Sequence, residues 1–306
     1  MNKEIGIIGL GKMGKGIAAQ LAEKGWTVRA YNRTVEKAQE LASQHDSMTA
    51  YETVESMIAG ILSSPRIVWV MVPAGGAVDE TLFGERGVAQ YLSEGDIVID
   101  AGNSQYKNDA MRAQKLAEKG IQFVDAGVSG GPAGARNGAC IMVGGPKALF
   151  EELEQLYKDL TVENGYAHFE GIGAGHFVKM VHNGIEYGMM QAIGEGFNVM
   201  KQSDFNLDLA EVARVYNRAS VVESRLIGWL EKAYKEWGVE LEPISGSISH
   251  SGEGKWTVEV AEEMGQEVPI IKESYEFRVQ SQDNPSYVGK VVSALRGQFG
   301  GHKVSK

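Results

Sequence analysis

Apolar positions along the chain follow two periods. Through the first half, short β-branched runs recur: "IGII" from Ile5, "TVRAY" from Thr27, "IVWVMV" from Ile67, "DIVID" from Asp96, "IQFVDA" from Ile121 and "CIMVGG" from Cys140. Runs of this length, each followed by a turn or a helical pattern, predict buried strands. Between the first two, "GKGIAAQLAEKG" places Ile17, Ala18, Leu21 and Ala22 at helical spacing and stops at Gly25. Strand, helix, strand in about 30 residues is a βαβ unit, which predicts a parallel sheet covered by helices. After "HFEGIGAG" at 168–175 the period changes to 3.6, in "FVKMVHNGIEYGMMQAIGEGFNVMKQ" and "LIGWLEKAYKEWG". The pattern therefore predicts an α/β domain over 1–172 and an all-helical domain over 173–306. The charged stretch "EELEQLYKDL" at 151–160 reads as a solvated helix face.

Composition adds two points. The 39 glycines among 306 residues are nearly double the usual share of roughly 7%, so many tight turns and close backbone approaches are expected. A net charge of −10 lacks the basic footprint of a nucleic-acid binder or of a protein docking on anionic lipid. An anionic substrate would thus need cations gathered locally. A single cysteine, Cys140, rules out an internal disulfide and suits a reducing compartment. Neither a secretory apolar segment nor a long apolar run is seen, so a soluble, cytoplasmic protein is expected.

The first βα turn reads "GLGKMG", with Gly9, Gly11 and Gly14 in G-x-G-x-x-G spacing between a strand and a helix. There the glycines serve a tight turn, the approach of a pyrophosphate and close helix–strand packing, with the phosphates on the helix N-terminus. The expected fold class is therefore an α/β Rossmann-type dinucleotide-binding domain followed by an all-α C-terminal domain. Lys12, Met13 and Val72 are taken as further cofactor neighbours. At the end of the second run, "AYNRT" has no acid to accept from a ribose 2′-hydroxyl. Asn32 is neutral, Arg33 is a planar cation suited to a 2′-phosphate, and Thr34 adds a hydroxyl, which favours NADP over NAD.

One helix concentrates candidate chemistry. In "FVKMVHNGIEYG" at 177–188, Lys179, His182, Asn183, Glu186 and Tyr187 fall within about 80° of Lys179 around the helix axis. A lysine shielded from water close to a cofactor can act as a base, and a neighbouring carboxyl as an acid. Asn and His can orient an alcohol and stabilise oxyanion character. Oxidation of a hydroxy acid fits this set. No metal is implied, since His182 has no second His or Cys at ligand spacing.

At these residues the sequence resembles the 6-phosphogluconate dehydrogenase family, a branch of the β-hydroxyacid dehydrogenases. The likeness is carried by "GLGKMG", "NRT", "DAGNS" at 100–104, "VSGGPAGARNG" at 128–138, "GAGHFVKMVHNGIEYG" at 173–188, "SGEGKWT" at 251–257 and "ALRGQFGGH" at 294–302. The resemblance implies that Lys179 takes the proton from the substrate 3-hydroxyl during hydride transfer and assists decarboxylation, while Glu186 protonates carbon 1 of the enediol. It implies substrate contacts for Asn103, which also borders the cofactor, and for Ser129, Gly130, Gly131, His182 and Asn183. Tyr187 and Arg278 match phosphate contacts. Arg296 and His302 match tail contacts that in relatives reach in from a neighbouring subunit. The implied partner is 6-phosphogluconate, with neither nucleic acid nor membrane, and the implied assembly is a homodimer or homotetramer. Two departures stand out: the chain is shorter than the long form of the family, and Ser251 and Glu253 replace a phosphate-binding Lys and Thr. Lys255 is the remaining phosphate candidate in that segment. The alternatives are another β-hydroxyacid dehydrogenase, such as one acting on 3-hydroxyisobutyrate, and a non-catalytic dinucleotide sensor.

Overall fold

Alternate side chains of the short apolar runs enter opposite cores. In β1 (Glu4–Ile8), β4 (Ile67–Val70) and β5 (Ile97–Asp100), Ile5, Ile7, Trp69 and Ile99 join one cluster while Ile8, Val68, Val70 and Val98 join the other. A period of two with apolar residues at both phases can be satisfied only by a sheet covered on both faces. In the computed structural model, which describes residues 2–250 and 252–304, the chain forms two compact units, Met1–Lys179 and Met180–Lys306.

The first unit is built on an eight-stranded sheet. Its remaining strands are β2 (Thr27–Tyr31), β3 (Met48–Tyr51), β6 (Gln122–Ser129), β7 (Ala139–Gly145) and β8 (Thr161–Glu170), in the order β3-β2-β1-β4-β5-β6-β7-β8. All neighbours are parallel except β6 and β7. Helix α1 (Gly14–Glu23) packs through buried Ile17, Ala18, Leu21 and Ala22, and Gly25 after it adopts φ +81°. The other helices of this unit are α2 (Val35–Ala42), α3 (Val54–Ala59), α4 (Gly76–Phe83), α5 (Asp109–Ala117), α6 (Gly131–Asn137) and α7 (Lys147–Leu160). Along α7, Leu149, Leu153, Leu156, Tyr157 and Leu160 are buried, and the charged positions form the outer face. The order of strands reverses at β1 and β4, where open α/β sheets bind ligands beyond the strand C-termini.

Two strands escaped the hydrophobic pattern, β3 and β8. They are the two edges of the sheet, where one side of the strand meets solvent and a continuous apolar run is not required.

The second unit is helical. Helix α8 (Ala174–Lys201) runs 28 residues without a break and is followed by α9 (Leu209–Tyr216), α10 (Arg225–Trp237), α11 (Glu253–Glu263), α12 (Pro269–Gln280) and α13 (Tyr287–Gly300). Its core joins Met190 and Phe197 of α8, Leu230 and Tyr234 of α10, and Val291 and Leu295 of α13. The boundary expected at 172/173 lies seven residues before the one between the units. The start of α8 belongs to the sheet, because at Gly175 a Cβ would collide with the Met142 carbonyl oxygen of β7. No helix among the described residues is long and apolar enough to cross a membrane.

Close backbone approach also sets α13, since a Cβ at Gly289 would run into the Gly246 carbonyl oxygen. Gly289→Ala is expected to destabilise the second unit by about 1–3 kcal/mol, read as a lower midpoint in urea with an unchanged slope.

Candidate functional site

The glycine loop shows why each glycine is needed. Gly9 has φ +97°, and a side chain there would strike the Met71 carbonyl; one at Gly14 would strike the Gly9 carbonyl. Both are demanded by the chain itself. Gly11 is different, for a Cβ there meets nothing within 4 Å. The protein leaves that space open at a helix N-terminus, as the approach of a pyrophosphate requires, so this loop fits a dinucleotide.

The loop is fastened to the end of β2. Leu10 N donates to Asn32 Oδ1 at 2.9 Å, and Asn32 Nδ2 donates to Thr34 O at 2.9 Å. Asn32 thus holds the loop through its amide oxygen while its amide nitrogen fixes its own turn at Thr34, a role beyond the neutrality read from sequence. Arg33 and Thr34 are exposed just past it, as is Lys12, while Met13 and Val72 are half-buried. A Cβ at Gly9 would lie 3.1 Å from Val72 Cγ1, and one at Gly102 would lie 3.0 Å from Val72 O. Val72 therefore borders both the glycine loop and the turn that carries exposed Asn103. Ser129 ends β6, and Gly130 (φ +117°) and Gly131 (φ +63°) turn the chain into α6. Since β2, β1, β4, β5 and β6 run parallel, all these groups lie beyond the C-terminal ends of the strands.

Lys179 ends the first unit, is 9% exposed, and rests on β6: at Gly127 any Cβ would collide with Lys179 Cβ. Beside it lies a buried charge network that the sequence reading missed. Asp125 Oδ1 accepts from Gly173 N at 2.7 Å and Oδ2 from His176 N at 2.8 Å. The His176 imidazole Nδ1 is 2.7 Å from Asp109 Oδ2. Arg112 Nη1 lies 3.3 Å from Asp100 Oδ2 and 3.5 Å from Asp109 Oδ1, and its Nε donates to Asp79 at 2.8 Å. Asp100 also accepts from Gly102 N and Ser104 Oγ. The three ligand-type side chains Asp100, Asp109 and His176 lie close enough to hold a metal ion. The Arg112 guanidinium already supplies the cation among them. The available signal was an aspartate inside an apolar strand run, "FVDAG" and "VIDAG", since a charge is buried only when paired.

Burial pushes the Asp109 carboxyl up to about 6, against the pull of His176. Burial alone would lower His176, but its hydrogen bond to Asp109 and the carboxylates of Asp100 and Asp125 raise it to about 9. A histidine raised in the folded state adds stability that is complete below its unfolded value of 6.5 and is lost as pH climbs through about 9. A raised carboxyl likewise loses its contribution as pH climbs through about 6. The thermal midpoint is therefore expected to fall from pH 7 to pH 10, and to fall less steeply above pH 8 in His176→Asn.

In the second unit, His182 Nδ1 is 2.9 Å from Asn183 Oδ1, and these two and Glu186 are half-buried. Tyr187 is buried, and the Arg278 guanidinium carbon lies 3.2 Å from its ring centroid. Arg278 is 1% exposed and Arg296 5%. Burial lowers Arg278 to about 10, with the neighbouring charge of Arg296 pushing the same way and Tyr187 opposing. Burial also lowers Arg296, against Tyr187, Glu186 and Glu253. The Arg296 Nη1 donates to Ser249 Oγ at 2.8 Å. His250 is held below the ordinary imidazole range by partial burial and by Arg278, Arg296 and Lys255. Tyr187 Oη, Arg278 Nη2 and both carboxylate oxygens of Glu253 are buried with no hydrogen-bond partner among the described residues. Two buried guanidiniums in mutual repulsion suit an anion with several oxygens.

Arg296 thus stands beside Arg278 within a single chain. Lys255 instead forms an i,i+4 pair with Glu259 at 3.3 Å on the outer side of α11, and Glu253, not Lys255, is the buried charged residue of that segment. Ser251 lies outside the described residues. His302 is exposed, with its ring 6.4 Å from Phe299, which packs on Trp229 at 5.1 Å. The Val304 carbonyl accepts from Ser245 N at 2.7 Å, so the tail folds back on its own unit.

Residues 4–166 match the pattern of the NAD binding domain of 6-phosphogluconate dehydrogenase, and residues 175–298 that of its C-terminal domain. The Bacillus subtilis protein YqeC is 46% identical over 99% of each chain. An NAD(+)-dependent, decarboxylating 6-phosphogluconate dehydrogenase of Haloferax volcanii is 34% identical, also over 99% of each. Among solved structures, Plasmodium falciparum 6-phosphogluconate dehydrogenase, seen with its cofactor NADP+ and with its substrate 6-phosphogluconate, superposes with a TM-score of 0.78 at 29% identity. That match covers 95% of this chain and 70% of the other. The fold and the glycine loop, with these likenesses, define a nicotinamide-dinucleotide oxidoreductase of the β-hydroxyacid dehydrogenase class. Within that class, the chain belongs to the 6-phosphogluconate dehydrogenase family.

Gly11 and Gly14 give a test of the loop. Gly11→Ala is expected to leave the thermal midpoint unchanged and to weaken NADPH binding by about tenfold or more, because only the pyrophosphate needs that space. Gly14→Ala is expected to lower stability by about 2 kcal/mol, measured by denaturation without cofactor.

Proposed function

We propose that the protein oxidatively decarboxylates 6-phosphogluconate to ribulose 5-phosphate and carbon dioxide. The observation that carries this reading is the buried Arg278–Arg296 pair against Tyr187, a receptor for a phosphate in a chain of net charge −10. A nicotinamide dinucleotide held at the glycine loop of Gly9, Gly11 and Gly14 would supply the hydride acceptor for carbon 3. Lys179, shielded from water, takes the proton of the 3-hydroxyl and returns it to the carbonyl oxygen as carbon dioxide leaves the 3-keto acid. Glu186 protonates carbon 1 of the enediol while Lys179 takes the enediol hydroxyl proton back, leaving the ketone. Asn103, Ser129, Gly130, Gly131, His182 and Asn183 orient the hydroxyl and carboxylate groups, and Arg278, Arg296 and Tyr187 hold the phosphate, with His302 and Lys255 as outlying candidates.

NADP is proposed as the preferred cofactor on the strength of Arg33 and Thr34, exposed where a 2′-phosphate would lie and with no acid at position 32. The family provides for either dinucleotide, as its NAD-dependent member and its NADP+-bound member show.

The decisive assay measures NADPH and NADH formation with 6-phosphogluconate, with 3-hydroxyisobutyrate as the competing substrate. Turnover of 6-phosphogluconate with release of carbon dioxide is expected; turnover of 3-hydroxyisobutyrate alone, or of neither, overturns the proposal. Lys179→Met is expected to lower kcat by about 10² to 10⁴-fold. Glu186→Gln should slow the step after decarboxylation while leaving substrate affinity nearly intact. Arg33→Ala should raise the Kd for NADP by about tenfold and leave that for NAD almost unchanged, and equal losses would remove Arg33 from cofactor choice.

A further inference from the structure

His176 precedes Lys179 by three positions on α8, one turn back on nearly the same face. Its side chain is tied to Asp109 at the start of α5, and its backbone N–H to Asp125 in the middle of β6. Asp125 is two residues before Gly127 on that strand, so both face the same side, and Gly127 is where Lys179 Cβ rests. Lys179 is therefore fixed from both directions: by the strand beneath it and by the helical turn before it. A helix start could be held on a strand by apolar packing alone, at lower desolvation cost than a buried imidazole and carboxylates. None of the cofactor or substrate roles assigned above employs Asp109, His176 or Asp125.

We propose that Asp109, His176 and Asp125 are positioning residues for Lys179: they set its place along β6 and, as one charged network, govern how readily its ammonium gives up a proton. This rests on the reading of Lys179 as the base. The charges are balanced closely. Asp100, Asp109 and Asp125 are met by the Arg112 guanidinium and the His176 imidazolium. Asp79 binds the far side of Arg112, and the Tyr157 hydroxyl of α7 feels Asp125. Asp79 is 40% exposed, so among the buried members three carboxylates face two cations, one negative charge in excess, which favours the charged form of a nearby lysine. Removing the imidazolium increases that excess; removing a buried carboxylate cancels it.

Two near-isosteric variants of the whole chain separate this from mere scaffolding. In His176→Asn, the amide nitrogen can still donate to Asp109; in Asp125→Asn, the amide oxygen can still accept from one helix N–H. The acid limb of the pH profile of kcat, where the base must lose its proton, is expected to move up by about one pH unit in His176→Asn and down by about one in Asp125→Asn. A unit charge on the order of 10 Å away, at an effective dielectric of about 20, shifts a titration by about one pH unit. Dissociation constants for NADPH should stay within about twofold in both, because the glycine loop is untouched. Loss of packing alone would move neither limb, or both in one direction, and either result overturns the proposal. If Asp125→Asn does not fold, Asp109→Asn carries the same expected sign. Failure of the underlying reading is distinguishable: Lys179→Met would then retain turnover, whereas an inactive Lys179→Met with unmoved limbs in the other variants removes this inference alone.

Discussion

A carboxylate in the middle of a strand anchors the longest helix of the protein. Asp125 receives the backbone N–H groups of Gly173 and His176, which the first turn of any helix leaves without intrahelical partners, and its charge lies at the positive end of the helix dipole. The arrangement works only because glycine lines the approach. Side chains at Gly127, Gly144 or Gly175 would meet Lys179, Asp125 or the β7 backbone. The close backbone approaches expected from the abundance of glycine are here a requirement for helix and strand to touch.

The same economy governs the nucleotide loop. Gly9 and Gly14 are imposed by the fold, and Asn32, just past β2, accepts from Leu10 N of the loop while its amide nitrogen donates to Thr34 O. Only Gly11 faces open space. A motif that looks uniform in sequence thus divides into structural positions and one reserved for a ligand, and the division follows from what a Cβ would meet.

In the second unit, local electrostatics run against the net charge of the molecule. Arg278 and Arg296 are buried together, each made a weaker base by desolvation, with Tyr187 offering its ring face to the first of them. Cation–π contact and a serine hydroxyl compensate only partly for lost hydration. Buried polar atoms of Tyr187, Arg278 and Glu253 remain without partners among the described residues. Such a cluster is costly in an empty protein and favourable around an anion.

Sequence by itself determined the covered sheet, because apolar residues at both phases of a period-two run can be buried only on two faces, and it determined the helical half through a sustained 3.6 period. It also determined the glycine loop and the candidate set on α8, since spacing along one strand–turn–helix or one helix is a local property. The edge strands β3 and β8 were not legible, because half their surface meets water and their pairing comes from a neighbour. Nor was the Asp109–His176–Asp125 network, whose members stand 67 and 51 residues apart. Tertiary structure alone decided that Arg296 lies beside Arg278, that Lys255 turns outward to Glu259 while Glu253 turns in, and that Asn32 serves the loop. The physical reason is the same in each case: the side chain's partner is distant in sequence or set by helix packing, and the energy of a buried charge depends on that partner rather than on its neighbours along the chain.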